Sequence, residues 1–119
     1  AANYLFGGSY LGIVLPAFVE PLMGPGHDWA WPTNPSKDDL KPLGGHAVWQ
    51  VAYDRTVKDR NDPAGATIST WGMKKRVSQM FLDIVTEEAW AVLLWEMVPT
   101  VMPFVDYGLF VKDLDSVAA

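Results

Sequence analysis

Apolar positions along this chain gather into two long stretches with a polar middle between them. Residues 4–23 (YLFGGSYLGIVLPAFVEPLM) carry one charge, Glu20. That length, roughly 20 residues, is what a bilayer-spanning helix needs. Gly7, Gly8, Gly12 and Pro16 interrupt the stretch, and Pro16 would remove one helical hydrogen bond and bend the path. Neighbouring helices in a membrane can satisfy the carbonyl so freed. The stretch therefore reads either as a kinked membrane helix packed on protein or as an extended apolar arm laid along a partner. Gly8-x-x-x-Gly12 has the small-residue spacing that lets two helix backbones approach closely.

The second stretch begins near Gly72. Val77, Met80, Phe81, Ile84 and Val85 fall at offsets 0, 3, 4, 7 and 8, the apolar stripe of an amphipathic helix. Lys74, Lys75 and Arg76 stand at its start, where the helix dipole disfavours them. Thr86 can cap a second helix, with Glu87 and Glu88 in its first turn. Ala89 to Val105 then runs apolar apart from Glu96, broken by Pro99 and Pro103. The second apolar segment is placed near 87–107.

Residues 24–72 form the connecting region. Proline, glycine and aspartate are dense over 24–45, as in an extended surface loop. His46 to Tyr53 is rich in strand formers, with Trp49, Val51 and Tyr53 on one face at period two. Asn61-Asp62-Pro63-Ala64-Gly65 reads as a turn, and Thr67 to Trp71 as a second short extended piece. The expected fold is mainly α: two broken apolar helices, suited to a membrane, joined by a long Pro/Gly-rich loop and a short extended segment. Residues 1–119 make one small domain or subunit.

Composition sharpens this. There is no cysteine, which excludes disulfides, thiolate metal sites and a cysteine nucleophile within the chain. The net charge of -5 gives no footprint for a phosphate backbone, so nucleic acid is not an expected partner. Charged residues are 19% and apolar residues 50%, with six tryptophans. Apolar surface that a broken chain cannot bury in its own core meets a partner or lipid. Eight of the nine basic residues lie between Lys37 and Arg76. By the positive-inside tendency the connecting region then faces the stroma or cytoplasm. The Ala1-Ala2 start suits a cleaved export signal and a truncation alike.

Catalytic motifs are absent: there is no nucleophile elbow, phosphate-binding loop, paired-histidine zinc motif or calcium loop. The chain is therefore read as no enzyme. His27 and His46 read as solvated or hydrogen-bonded surface residues. One histidine suffices as the axial ligand of a tetrapyrrole, so either is compatible with a bound chlorophyll. Glu20 and Glu96 are ordinary exposed acids outside a membrane. Inside one, each would cost roughly 3 kcal/mol and need a partner. Trp29 and Trp31 lie on one side of an extended chain. Trp90 and Trp95, five apart, point about 140° from each other on a helix. These four tryptophans are the expected partner contacts.

In its broken apolar helices, Trp- and Pro-rich loops and lack of cysteine, the whole chain resembles the small supernumerary subunits of photosynthetic and respiratory membrane complexes. The ion-lock signature of light-harvesting helices, a Glu with Asn and Arg, is absent. The resemblance implies a non-catalytic accessory subunit of an energy-transducing membrane complex, with a photosystem in the thylakoid membrane ahead of a respiratory assembly. Its partners would be other subunits and the lipid bilayer. The alternative is a soluble extracytoplasmic interaction domain.

Overall fold

The computed structural model describes residues 8–91, and they form an antiparallel sheet of five strands, not two apolar helices. The strands are β1 (Ser9–Pro16), β2 (Pro42–Tyr53), β3 (Ala66–Thr70), β4 (Met73–Val77) and β5 (Thr86–Ala91), in the order β4-β3-β2-β1-β5. A 3₁₀ segment (Ala17–Leu22) follows β1, and one short helix, α1 (Gln79–Val85), separates β4 from β5.

The first apolar stretch is a strand because its pattern has period two. Leu11, Ile13 and Leu15 are buried, whereas Tyr10, Gly12 and Val14 face the other side and stay partly or largely exposed. Such alternation with β-branched residues suits a strand with one buried face. Pro16 closes β1 at a register shift against β2, where a missing N–H costs no ladder bond. Gly12 is a strand residue paired with Ala47 and Glu88, which replaces the helix–helix contact read from its spacing.

The second apolar segment divides. Lys74, Lys75 and Arg76 alternate out, in and out along β4, so the conflict with a helix dipole does not arise. Ser78 then caps α1, its Oγ accepting from Phe81 N–H at 3.0 Å. Phe81, Leu82 and Val85 are the buried part of the stripe; Ile84 is exposed. Thr86 ends this helix, donating its N–H to the Leu82 carbonyl from an extended backbone. The chain continues into β5 beside β1. Residues 92–107 of the expected segment lie outside the described residues.

The middle matches its reading more closely. The extended segment at 46–53 falls within β2, which begins earlier, at Pro42; that at 67–71 overlaps β3, with Trp71 in the turn after it; and Asp62 caps a 3₁₀ turn at Pro63–Gly65. Trp49 and Tyr53 do not share a face, however. A bulge at Val51 shifts the register, setting Trp49 against exposed Ser69 but Tyr53 against buried Ala66. The extra residue flips the side-chain sense of the positions after it.

Among the described residues no helix is long and apolar enough to cross a membrane. The expectations of transmembrane helices and of an integral thylakoid location are corrected accordingly. Within the first stretch, Leu11, Ile13, Leu15 and Val19 are buried in the core of the sheet. The buried face of the sheet packs under α1, the 3₁₀ segment and the loop after it, with Ile13, Val48, Ile68, Phe81 and Trp29 at the centre. Each such side chain contributes on the order of 1.5–3 kcal/mol by leaving water. The loop also closes an edge: Trp29 N–H donates to Arg76 O at 3.0 Å and Ser78 N–H to Trp29 O at 2.8 Å. That parallel bridge to Val77 covers β4.

Candidate functional site

The site begins with a histidine on the buried side of β2. His46 pairs with Ile13 across β1–β2, so its ring belongs to the face that carries Val48. On the other side of β2, the β3–β4 hairpin brings Thr70 and Trp71 to it. His46 Nε2 and Thr70 Oγ1 are 2.6 Å apart. The Trp71 indole stacks on the imidazole with centroids 4.4 Å apart and planes 23° from parallel. Nδ1 makes no hydrogen bond to a described residue.

The hairpin that delivers Trp71 is tight and strained. Thr70 pairs directly with Met73, leaving two loop residues. Both have positive φ, 48° at Trp71 and 72° at Gly72, as a type I′ turn requires. Gly72 suits its place. A bulky residue at positive φ is an outlier, and such strain persists only where the surroundings impose it. Trp71 is 46% exposed, so burial alone does not impose it. Its ring partners among the described residues are His46 and Trp29, the latter edge-on at 6.0 Å and 77°.

Burial lowers the His46 pKa from the ordinary histidine value, because removing water disfavours the charged ring. The imidazole is therefore neutral at neutral pH, with one nitrogen engaged by a hydroxyl that is itself nearly buried (Thr70 is 4% exposed). A neutral imidazole fixed at one nitrogen presents a lone pair or a proton at the other.

A shallow cleft of about 600 Å³ lies over the open face of the sheet, on the side away from the His46 ring, and is lined by Gly12, Gly45, Ala47, Glu87 and Glu88 among others. Its floor is low because two glycines and an alanine supply it. A Cβ added at Gly12 would lie 2.6 Å from Glu88 Cγ, so Glu88 lies directly across that position. Both glutamates are exposed. No group of three or more potential metal ligands occurs among the described residues.

The four tryptophans named as partner contacts take different places. Trp29 is fully buried and donates Nε1–H to Leu22 O at 3.0 Å. Trp31 is half-buried and, like Trp29, lies against Phe81, at 6.3 and 5.6 Å. Trp90 is 57% exposed on β5 opposite Tyr10. Trp95 lies outside the described residues. His27 and Glu20 are exposed, as the surface reading has them. Sequence reasoning did not single out Thr70 or Trp71. The available signal was the alternation His46, Val48, Gln50 on one strand face, followed by a Trp-Gly pair at a two-residue turn.

The sequence matches no protein-family model, no curated protein and no solved structure.

Proposed function

We propose that the chain carries the acid–base histidine of a hydrolytic, acyl-transfer site, with His46 as the proton-transfer residue. The observation that supports this reading is the triple arrangement at His46: Nε2 held by Thr70 Oγ1, one face covered by Trp71, and Nδ1 without a described partner. A general base needs its lone pair in a fixed tautomer and a pKa close to working pH. Thr70 Oγ1 would orient the ring by accepting from Nε2–H, and constellations of nucleophile, histidine and orienting polar group recur on unrelated folds. In this reading Nε2–H donates to Thr70, and Nδ1 takes the proton of a thiol or hydroxyl. The chain has no cysteine, so a thiol would come from a second chain.

The accessory-subunit expectation rested on two broken apolar helices, on Trp- and Pro-rich loops and on the lack of cysteine and of catalytic motifs; the first helix is replaced by β1 and a 3₁₀ segment, and residues 92–107 of the second lie outside the described residues.

The test uses the full chain. Nitrogen-15 NMR is expected to show His46 protonated on Nε2 and titrating below the ordinary histidine value. Hydrolysis of p-nitrophenyl acetate, which a neutral imidazole promotes, is expected to fall at least about tenfold in His46→Gln. It should hold in His27→Gln. A ring protonated on Nδ1, or equal losses from the two variants, overturns the reading.

A further inference from the structure

Trp71 reaches His46 from a strained, half-exposed turn, so something must hold it there. The candidate is on the buried side. Trp29 meets the Trp71 ring edge-on at 6.0 Å, and Trp29 is itself fixed from four directions. Its N–H and C=O are bonded to the β4 strand and Ser78. Its Nε1–H donates to Leu22 O. Its ring lies against Phe81, and the Lys75 ammonium sits 5.2 Å from its centroid.

Lys75 is the unusual member. A lysine that is 3% exposed would be costly without partners, and it has three. Nζ donates to Leu22 O at 3.0 Å, Gly24 O at 2.9 Å and His27 O at 2.7 Å. All three of its protons are used. The carbonyls run from the end of the 3₁₀ segment, at Leu22, into the loop that delivers Trp29. Lys75 thus ties residues 22–27 down on β4 and adds a cation–π contact to the ring they present. Leu22 O accepts from both Lys75 and Trp29, so the ammonium and the indole are fastened to the same atom.

We propose that Trp29, clamped by Lys75, is a positioning residue that fixes Trp71 against His46 and thereby orients the imidazole. This rests on the reading of His46 as the acid–base group. The path runs through physical contact at each step: ammonium to loop carbonyls, loop to Trp29, Trp29 to Trp71, Trp71 to His46. Trp71 has no other ring partner among the described residues. Loss of Trp29 would leave the stack on His46 as its one aromatic support.

The experiment begins without mutation. Indole nitrogen relaxation in the full chain is expected to show Trp71 as rigid as backbone despite its exposure, with cross-peaks to Trp29. An order parameter below about 0.6 for the Trp71 indole overturns the proposal directly. The variants are Trp29→Phe, Lys75→Met and Lys75→Arg, read by His46 titration, by ester hydrolysis and by circular dichroism. Phenylalanine keeps an apolar ring but loses the bond to Leu22 and the reach to Trp71. In Trp29→Phe the Trp71 indole should loosen, the His46 pKa should rise toward its ordinary value, and hydrolysis should fall about tenfold. Lys75→Met should do the same, and Lys75→Arg should restore part of both readouts. Folded variants with unchanged His46 titration and rate refute the relay. If His46→Gln itself leaves hydrolysis unchanged, the parent reading fails instead, and the indole measurement still decides the mechanical claim.

Discussion

Replacing Thr70 by valine removes one oxygen and keeps the branched shape, so it isolates the hydroxyl that touches His46. The bond is short, 2.6 Å, and Thr70 is almost wholly buried. A net hydrogen bond of this kind contributes about 1 kcal/mol. The half-buried imidazole can recover part of that from water, whereas a fully buried one would lose more. A stability loss of about 1 kcal/mol is the result, which for a chain of this length lowers the melting temperature by about 4 °C. With Thr70 Oγ1 accepting from Nε2–H, as proposed, the same energy favours that tautomer by about fivefold, so its predominance should fall in the variant. Thr70 Oγ1 also accepts from the imidazolium, and its loss moves the His46 pKa further down. Calorimetry and nitrogen-15 spectra of the ring read the two effects separately. A valine variant that melts lower but keeps one tautomer would show that the hydroxyl packs the strand and does not orient the ring.

Much of the fold is legible in the sequence once period is given precedence over length. SYLGIVLP alternates as a strand must, yet it sits inside twenty apolar residues, and length pointed to a helix. The alternation was masked because Val14 and Tyr10, on the open face, are themselves apolar. Lys74-Lys75-Arg76 misled for a related reason. A basic run reads as a solvated surface, but period two puts Lys75 inward, where three loop carbonyls receive it. Those carbonyls lie 48 to 53 residues away in sequence, and no local pattern announces them. The bulge at Val51 is likewise set by pairing with β3, so the face of Tyr53 could not be read from β2 alone.

The site is less legible than the fold because its members meet only through register. His46 and Thr70 are 24 residues apart, and their contact exists because β2 and β3 pair with Trp49 opposite Ser69. A slip of one residue would turn Thr70 to the open face. Trp71 left a local trace: a two-residue turn that asks for Asn or Gly at its first central place holds the bulkiest residue instead. Such disagreement between local preference and placement concentrates at functional or strained positions. Here it marks the residue that covers the histidine.

Three further outcomes are expected. Ser78→Ala removes the α1 cap and the bond from Ser78 Oγ to Asn61 Oδ1, 2.9 Å long and part-buried. The cap is worth about 1 kcal/mol and the second bond about as much, so urea midpoints should report a loss near 2 kcal/mol, and a loss below about 0.5 kcal/mol would refute the cap. The folded His46 pKa lies below the unfolded value of 6.5, so between the two the unfolded chain binds more protons. Stability from this group is then full above 6.5, declines as pH falls through that window, and levels below the folded value. His46→Gln should remove that decline from a series of urea titrations. The last outcome separates stability from function at Trp71. Trp71→Asn puts a residue tolerant of positive φ at 48°, relieving strain on the order of 1–3 kcal/mol. It also removes two ring contacts, to His46 and Trp29, each worth about 0.5–1.5 kcal/mol. The opposing terms are of similar size, and the melting temperature should move little. The imidazole, however, loses its cover and gains water, so its pKa should rise and ester hydrolysis should drop. If the asparagine variant instead melts far lower while His46 titrates as before, Trp71 anchors the hairpin, and its stack on the histidine does not shape the site.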